Sequence, residues 1–117
     1  MYGLPEDFDC NRLVGLELGN VAFSANTVTL MFEKNVAINL EISYRYSLGA
    51  GEHEFEERVA PAASALMQLA NRRVIGASVH RRGDLRLELE GGLLFTCLDD
   101  PHYESYSIFF GDERIIV

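Results

Sequence analysis

The sequence predicts an α+β fold, in which a mainly antiparallel, strongly bent sheet or partly open barrel is built from two three-strand meanders with one short helix between them. Apolar and polar residues alternate along most of the 117 residues, a period typical of half-buried strands. The period becomes helical only after Pro61 and returns to two at Val74. We therefore expect six to eight strands and a single helix over about 61–70.

The first meander covers about residues 13–48. Leu13–Leu18 begins a strand that we expect to extend to Phe23. Val28–Phe32 alternates cleanly, which places one face of this strand on a core. Val36–Tyr46 alternates without a break over eleven residues, so it is predicted as one long strand.

The helix is predicted from the spacing of four apolar residues that fall on one helical stripe: Val59, Ala62, Leu66 and Leu69. Pro61 suits a first helical turn. An isolated helix of fewer than about 12 residues is marginal in water, so this stripe would have to pack on the sheet.

The second meander follows the helix. Val74–His80 and Leu85–Glu90 are predicted strands, and Gly91-Gly92 is predicted as a two-residue hairpin turn. Leu93–Leu98 is apolar on both faces, which indicates a central strand. Two further strands complete the chain, over residues 103–110 and 114–117, with a turn at Gly111-Asp112.

The two meanders resemble each other in sequence. Leu13-Val14-Gly15 aligns with Val74-Ile75-Gly76, and the hairpin Phe32–Val36 aligns with Leu89–Leu93. Neither meander can bury its apolar face alone, so we expect the two to join into one sheet.

Composition places residues 1–117 in a single globular domain. No apolar run approaches the roughly 20 residues of a membrane span, and the first residues lack the basic and apolar regions of a leader peptide. We expect a cytoplasmic protein without membrane contact.

The formal charge of −8 is unevenly distributed. Residues 1–57 hold ten acidic and three basic residues (−7), whereas residues 58–117 hold eight acidic residues and seven arginines (−1). Because nucleic-acid binders usually present a basic field, we expect no nucleic-acid partner.

Sequence motifs indicate no cofactor and no metal. The chain has no P-loop, G-x-G-x-x-G, G-x-S-x-G or H-E-x-x-H motif. Cys10 and Cys97 are far apart and lack a C-x-x-C spacing, so we interpret them as structural thiols.

The first polar cluster is the acidic run 52–57, which contains Glu52, Glu54, Glu56 and Glu57. Such a run is typical of a solvated edge strand, where charge blocks association between sheet edges. The alternative is a contact with a protein partner, for which these four glutamates are the predicted binding residues.

The second polar cluster lies at residues 99–106. His102, Tyr103, Glu104 and Tyr106 are the candidate ligand residues, with no catalytic residue assigned. The Asp-Pro pair at 100–101 is typical of a turn, and Tyr106 alternates with core residues, so a structural role competes with a ligand role.

Residues Tyr103-Glu104-Ser105-Tyr106 follow two similar meanders, and together these features resemble a small bacterial family of unknown function. The tail pattern of that family resembles Tyr-Glu-(Ala/Ser)-(Trp/Tyr), and some members are considered immunity proteins encoded beside polymorphic toxins. This chain has no tryptophan, and Tyr106 stands in that position. The resemblance implies a fold and a toxin-neutralising role but no catalytic residue.

The function predicted from the sequence is that of a non-enzymatic binding protein, an immunity protein that neutralises a basic toxin domain through its acidic surface. The alternative is a small-ligand binding module, with a pocket in the bent sheet near four tyrosines: Tyr44, Tyr46, Tyr103 and Tyr106. A hydrolase that uses Glu104 with His102 is a third, weaker prediction, because no activating group is identified.

Overall fold

The computed structural model describes residues 3–24, 27–41, 43–47, 55–58, 69–81, 83–100 and 104–117. A short 3-10 helix, Cys10–Leu13, precedes the first strand. Ten strands follow: β1 (Glu17–Phe23), β2 (Val28–Phe32), β3 (Val36–Leu40), β4 (Ser43–Ser47), β5 (Phe55–Arg58), β6 (Arg72–His80), β7 (Asp84–Leu89), β8 (Leu93–Cys97), β9 (Tyr106–Phe110) and β10 (Glu113–Ile116).

The predicted α+β class is wrong, because the described residues form almost entirely antiparallel sheet. Their only helical conformation is 3-10, at Cys10–Leu13 and at Leu69. Most of the helix expected over about 61–70 lies outside the described residues, and Ala70 is in a turn. The described core residues come from strands of both halves of the chain.

All ten strands belong to one sheet, in the order β10-β9-β3-β2-β1-β6-β7-β8-β4-β5. Each half of the chain contributes a meander, β1-β2-β3 or β6-β7-β8, and then a hairpin. Each hairpin pairs with the meander of the other half: β4 pairs with β8, and β9 pairs with β3. The two expected three-strand meanders are therefore part of a larger sheet. The hairpins are exchanged, meaning that each half of the chain adds its hairpin to the meander of the other half.

The two meanders share their irregularities as well as their order. A β-bulge lies in β1 between Leu18 and Asn20, and another lies in β6 between Val74 and Gly76. The strand register therefore makes Leu18 equivalent to Val74. The sequence alignment had instead matched Gly15 with Gly76. The hairpin alignment of Phe32–Val36 with Leu89–Leu93 agrees with the register.

The meanders meet where β1 pairs with β6, at Glu17 opposite Arg73 and Leu18 opposite Arg72. The same hydrogen bonds recur on both sides of this junction. The Glu17 amide donates to Glu33 Oε1 (3.2 Å), and the Arg73 amide donates to Glu90 Oε1 (2.8 Å). The Arg73 guanidinium also pairs with Glu33 (3.1 Å) and Glu17 (3.5 Å), which ties the two halves together.

The sheet is strongly bent around one core. Ten flat strands would span about 43 Å, since neighbouring strands lie about 4.8 Å apart. The molecule measures only 30 × 27 × 26 Å. The bend encloses the alternating apolar residues of both halves, which are buried: Leu18, Val28, Leu30, Ile38, Leu40, Val74, Leu85, Leu87, Leu89, Phe95 and Ile108.

Three of the predicted elements are wrong in detail. Leu13 ends the 3-10 helix, and the strand starts only at Glu17. The uninterrupted strand Val36–Tyr46 is two strands, β3 and β4, that lie in different parts of the sheet. Its alternation persists because Leu40 and Tyr44 both face the shared core. The turn at Gly91-Gly92 includes Glu90, since Leu89 pairs with Leu93.

Candidate functional site

A groove of about 610 Å³ lies on the outer face of β6, β7 and β8, away from the core. We call it the outer groove. The space exists because β6 presents only Gly76 and the small Ser78 side chain there, whereas the Ala77 side chain packs against the core on the other face. Larger residues surround it: His80, Arg86, Glu88 and Leu94. A smaller cavity of about 170 Å³ shares His80 and Arg86 with the groove and extends it toward Arg45.

One row of side chains crosses the outer groove from strand to strand. Ser78 lies opposite Arg86, and Arg86 lies opposite Thr96. Thr96 lies opposite Arg45 on its other side. The Cβ atoms of directly opposed residues are about 4.5–5.5 Å apart. The row thus brings two guanidinium groups and two hydroxyl groups onto one face.

The cations of the outer groove differ in their contacts. Arg81 is bound to the buried carboxylate of Asp84 (Nε to Oδ2, 2.9 Å). Arg86 is half-buried and forms no ion pair within the described part of the chain. His80 Nε2 lies 2.8 Å from Ser78 Oγ, next to Arg86. Arg86 is therefore a cation with no carboxylate partner among the described residues, and it is available to a ligand.

The cluster predicted at residues 99–106 is largely a structural junction. The Tyr106 hydroxyl donates to the Gly83 carbonyl (2.5 Å), and the Asp99 amide donates to Asp84 Oδ1 (2.9 Å). Burial, followed by nearby Cys97 and Asp99, raises the pKa of Tyr106. This hydroxyl is neutral, buried and already bonded.

The other predicted residues of this cluster are placed differently. Glu104 is exposed, and Ser105, which accepts a hydrogen bond from the Asp100 amide (2.5 Å), is fully buried. His102 and Tyr103 lie outside the described residues. Their role as ligand residues remains a prediction.

The tyrosine pocket expected in the bent sheet is not formed by the two tyrosines whose side chains are described. Tyr44 and Tyr106 are both fully buried in the core. Tyr44 stacks on Phe95, with ring centroids 5.2 Å apart. The outer groove is on the opposite face of the sheet. Tyr103 and the side chain of Tyr46 lie outside the described part of the structure.

The acidic run reaches an edge of the sheet. Glu56 and Glu57 lie on β5, the terminal strand in the order of the described strands, opposite Arg45 and Tyr44 in the backbone register. Glu52 and Glu54 are outside the described residues. The predicted partner-binding segment thus leads into a strand that has only one neighbour.

Both cysteines are free thiols in structural positions. Cys97 is fully buried, and this burial raises the pKa of its thiol, with a further contribution from Asp84. The Cys10 thiol donates to the Ala77 carbonyl (3.3 Å). Neither thiol has the exposed, electropositive surroundings of a reactive cysteine.

Sequence reasoning did not find the outer groove. The alternation of Leu85, Arg86 and Leu87 does place the arginine on the outer face. However, Arg45 reaches this face only because β4 crosses to pair with β8. No local pattern encodes that pairing, so the two arginines could not be associated from sequence.

Two features of the described residues concern membranes and metal ions. None of their helices is long and apolar enough to cross a membrane. No three of their His, Cys, Asp or Glu side chains are grouped so that they could hold a metal ion.

Comparison with known proteins identifies the family and no individual relative. No curated protein matches the chain, and no solved structure matches it. One family model, described as a family of unknown function (DUF6188), matches residues 10–117. That range includes every strand of the sheet and all residues of the outer groove. The protein therefore belongs to DUF6188, a family of unknown function, as the sequence resemblance had indicated at this coarser level.

Proposed function

We propose that the protein is a non-enzymatic binding protein that contacts a basic protein partner through its acidic edge, meaning β5 and the acidic residues before it. The observation that carries the proposal is that the acidic run leads into the terminal strand of the sheet. Edge strands have unpaired backbone groups, and they are the natural place for a partner to bind.

The charge distribution supports a basic partner. Residues 1–57 carry a formal charge of −7, and four glutamates of this half fall within residues 52–57. A concentrated negative field accelerates encounter with a basic surface and opposes binding of other acidic proteins. Charge at the edge also discourages self-association, so the same residues favour one class of partner.

The partner we propose is a toxin domain, with this protein as its immunity protein. The resemblance at Tyr103–Tyr106 supports this role. Nuclease toxins bind nucleic acid and therefore present basic surfaces. An acidic edge strand that covers such a surface would block access of the nucleic acid without any catalytic step.

The test is binding to the basic C-terminal domain of the large secreted protein expected to be encoded beside this gene. Wild-type protein should form a complex whose affinity decreases with salt. The double variant Glu56→Lys/Glu57→Lys should weaken binding at least about tenfold, or roughly 1.4 kcal/mol. The matched control is Asp112→Lys/Glu113→Lys, which makes the same change in net charge at two exposed acids near the other edge of the sheet.

Two results would contradict the proposal. The first is that no such neighbouring domain exists or that it does not bind. The second is that the Asp112/Glu113 variant and the β5 variant weaken binding equally, which would show only a general effect of net charge. The β5 variants should retain the unfolding midpoint of the wild-type protein, so that lost binding is not lost folding.

The alternative, a small-ligand binding module, is favoured by the outer groove rather than by the expected tyrosine pocket. The described residues provide no support for a hydrolase that uses Glu104 with His102. Glu104 is exposed, and the hydroxyl of the neighbouring Ser105 is bonded to backbone.

A further inference from the structure

We propose that the outer groove is a binding site for a phosphate monoester, held by Arg86 together with Ser78 and His80. This site goes beyond the proposed function, because it lies on β6 and β7 and does not require the acidic edge.

The geometry of the groove suits a small ligand. Its volume of about 610 Å³ lies within the range of small-molecule pockets, about 300–1,000 Å³. Arg86 lies directly opposite Ser78 in the register, and Ser78 Oγ is 2.8 Å from His80 Nε2. A guanidinium, a hydroxyl and an imidazole therefore converge on one end of the groove.

Arg86 has the properties of a ligand-binding arginine. It is half-buried within a concave surface, and it lacks an ion-pair partner across the described ranges. A guanidinium presents a planar set of donors that bind phosphate oxygens in pairs. The chain has a formal charge of −8, with 18 acidic residues. An arginine that lies in a groove without a carboxylate partner among the described residues is suited to bind an anion from solution.

The other half of the fold shows that the sheet does not need these charges. The row Ser78, Arg86, Thr96 and Arg45 has a topological equivalent in the first half. That equivalent row contains Ala22, Thr29, Asn39 and Ser107. It is uncharged, and Asn39 donates to Thr29 Oγ1 (2.9 Å) in a local hydrogen bond. The charge of Arg86 is therefore not required for the strands to pair.

The acidic residues nearby limit the size and charge of the ligand. Asp84 is bound to Arg81, but Glu88 is exposed in the groove, two residues along β7 from Arg86 and opposite Gly76. Glu88 would repel a second negative group, which argues against a nucleic acid or another polyanion. The ligand is thus a small molecule with one phosphate at the Arg86 end and a neutral or cationic part toward Glu88.

Phosphate is favoured over carboxylate by the number of donors. Arg86 offers two parallel N–H groups, and Ser78 and His80 offer further polar atoms. A phosphate monoester presents three terminal oxygens, whereas a carboxylate presents two. A phosphate monoester can therefore accept more hydrogen bonds from these side chains than a carboxylate can.

The experiment is a titration of isotope-labelled full-length protein with inorganic phosphate, followed by amide chemical shifts. Sodium chloride at matched ionic strength and sodium acetate are run in parallel. We expect saturable shifts confined to residues 76–88 with phosphate, and only uniform, non-saturating shifts with chloride. Acetate should bind at least about tenfold more weakly than phosphate.

Three variants complete the test. Arg86→Gln should weaken phosphate binding at least about tenfold, and Ser78→Ala, at an exposed position, should weaken it several-fold without affecting the fold. The matched control Arg114→Gln removes an exposed arginine that lies over Phe109 on the other half, and it should leave binding unchanged.

The proposal is overturned if phosphate produces no saturable shifts, if acetate binds as well as phosphate, or if Ser78→Ala and Arg86→Gln both bind as wild type. Equal losses in the Arg86 and Arg114 variants would also overturn it. None of these readouts requires a protein partner, so the result is independent of the toxin-binding proposal.

Discussion

Gly83 has no room for a larger side chain. A Cβ atom at this position would overlap the side chain of Asp99, including its Cβ at 2.5 Å. Relief requires movement of the segment that follows β8, because the contact involves the base of the Asp99 side chain. We expect Gly83→Ala to lower the free energy of unfolding by about 1–3 kcal/mol, measured by urea denaturation.

A second glycine provides the control for this prediction. The nearest atom to a Cβ at Gly19 is the Met31 carbonyl oxygen at 3.7 Å, an ordinary contact. Gly19→Ala should therefore change stability by less than about 1 kcal/mol. If the two variants are equally stable, the close approach of Gly83 and Asp99 is not a constraint on the fold.

Single residues were predictable from sequence where their role is local. The interpretation of Cys97 as a buried structural thiol agrees with its position on β8. The bond from Tyr106 to Gly83 could not be predicted, because it joins residues 23 positions apart across a loop contact. The sequence indicated that Tyr106 is on the core face but not what its hydroxyl binds.

Among elements, the turn between β2 and β3 is strained compared with its counterpart. Lys34 and Asn35 have φ angles of 62° and 60°, and Gly91 and Gly92 occupy the equivalent positions between β7 and β8. A left-handed conformation costs a residue with a side chain about 1–2 kcal/mol. Glycine avoids this cost but loses about 0.5–1 kcal/mol in entropy.

We therefore expect Lys34→Gly to raise the free energy of unfolding by roughly 0.5–1 kcal/mol, measured by urea denaturation. The reverse change, Gly91→Ala, should lower it, because the φ angle is 89° and the new Cβ would lie 2.5 Å from Arg72 Nη1. A loss of stability in Lys34→Gly would show that the lysine side chain makes a contribution larger than the backbone strain.

Elements with a clean period of two were predicted well. β2, β7 and β8 lie within about one residue of their expected ranges, because one face of each strand is buried. The boundary between β3 and β4 was missed. The alternation of apolar residues shows only which face of a strand meets the core. At Glu41 the chain passes to a different part of the sheet, but the same face continues to meet the core.

The whole molecule is organised by the exchange of its two hairpins. The hairpin β4-β5 completes the sheet beside β8, and the hairpin β9-β10 completes it beside β3. Local sequence patterns do not predict this exchange. Each strand involved could instead have paired with its neighbours in sequence alone.

The exchange predicts that neither half of the chain folds alone. A fragment of residues 1–71 would lack both β6 beside β1 and β9 beside β3, and its β4-β5 hairpin would lose β8. An isolated two-stranded hairpin is at best marginally stable in water. The complementary fragment, residues 72–117, would lack the corresponding neighbours of β6 and β8.

We therefore expect full-length protein to unfold in one cooperative transition with coincident circular dichroism and fluorescence midpoints. Each fragment, expressed separately, should show little dispersion in its amide spectrum, whereas co-expressed fragments should associate and recover the native pattern. A cooperative transition in either fragment alone would contradict this. It would show that a meander buries enough of its own apolar face to fold, and that the exchanged hairpins add to a structure that already exists.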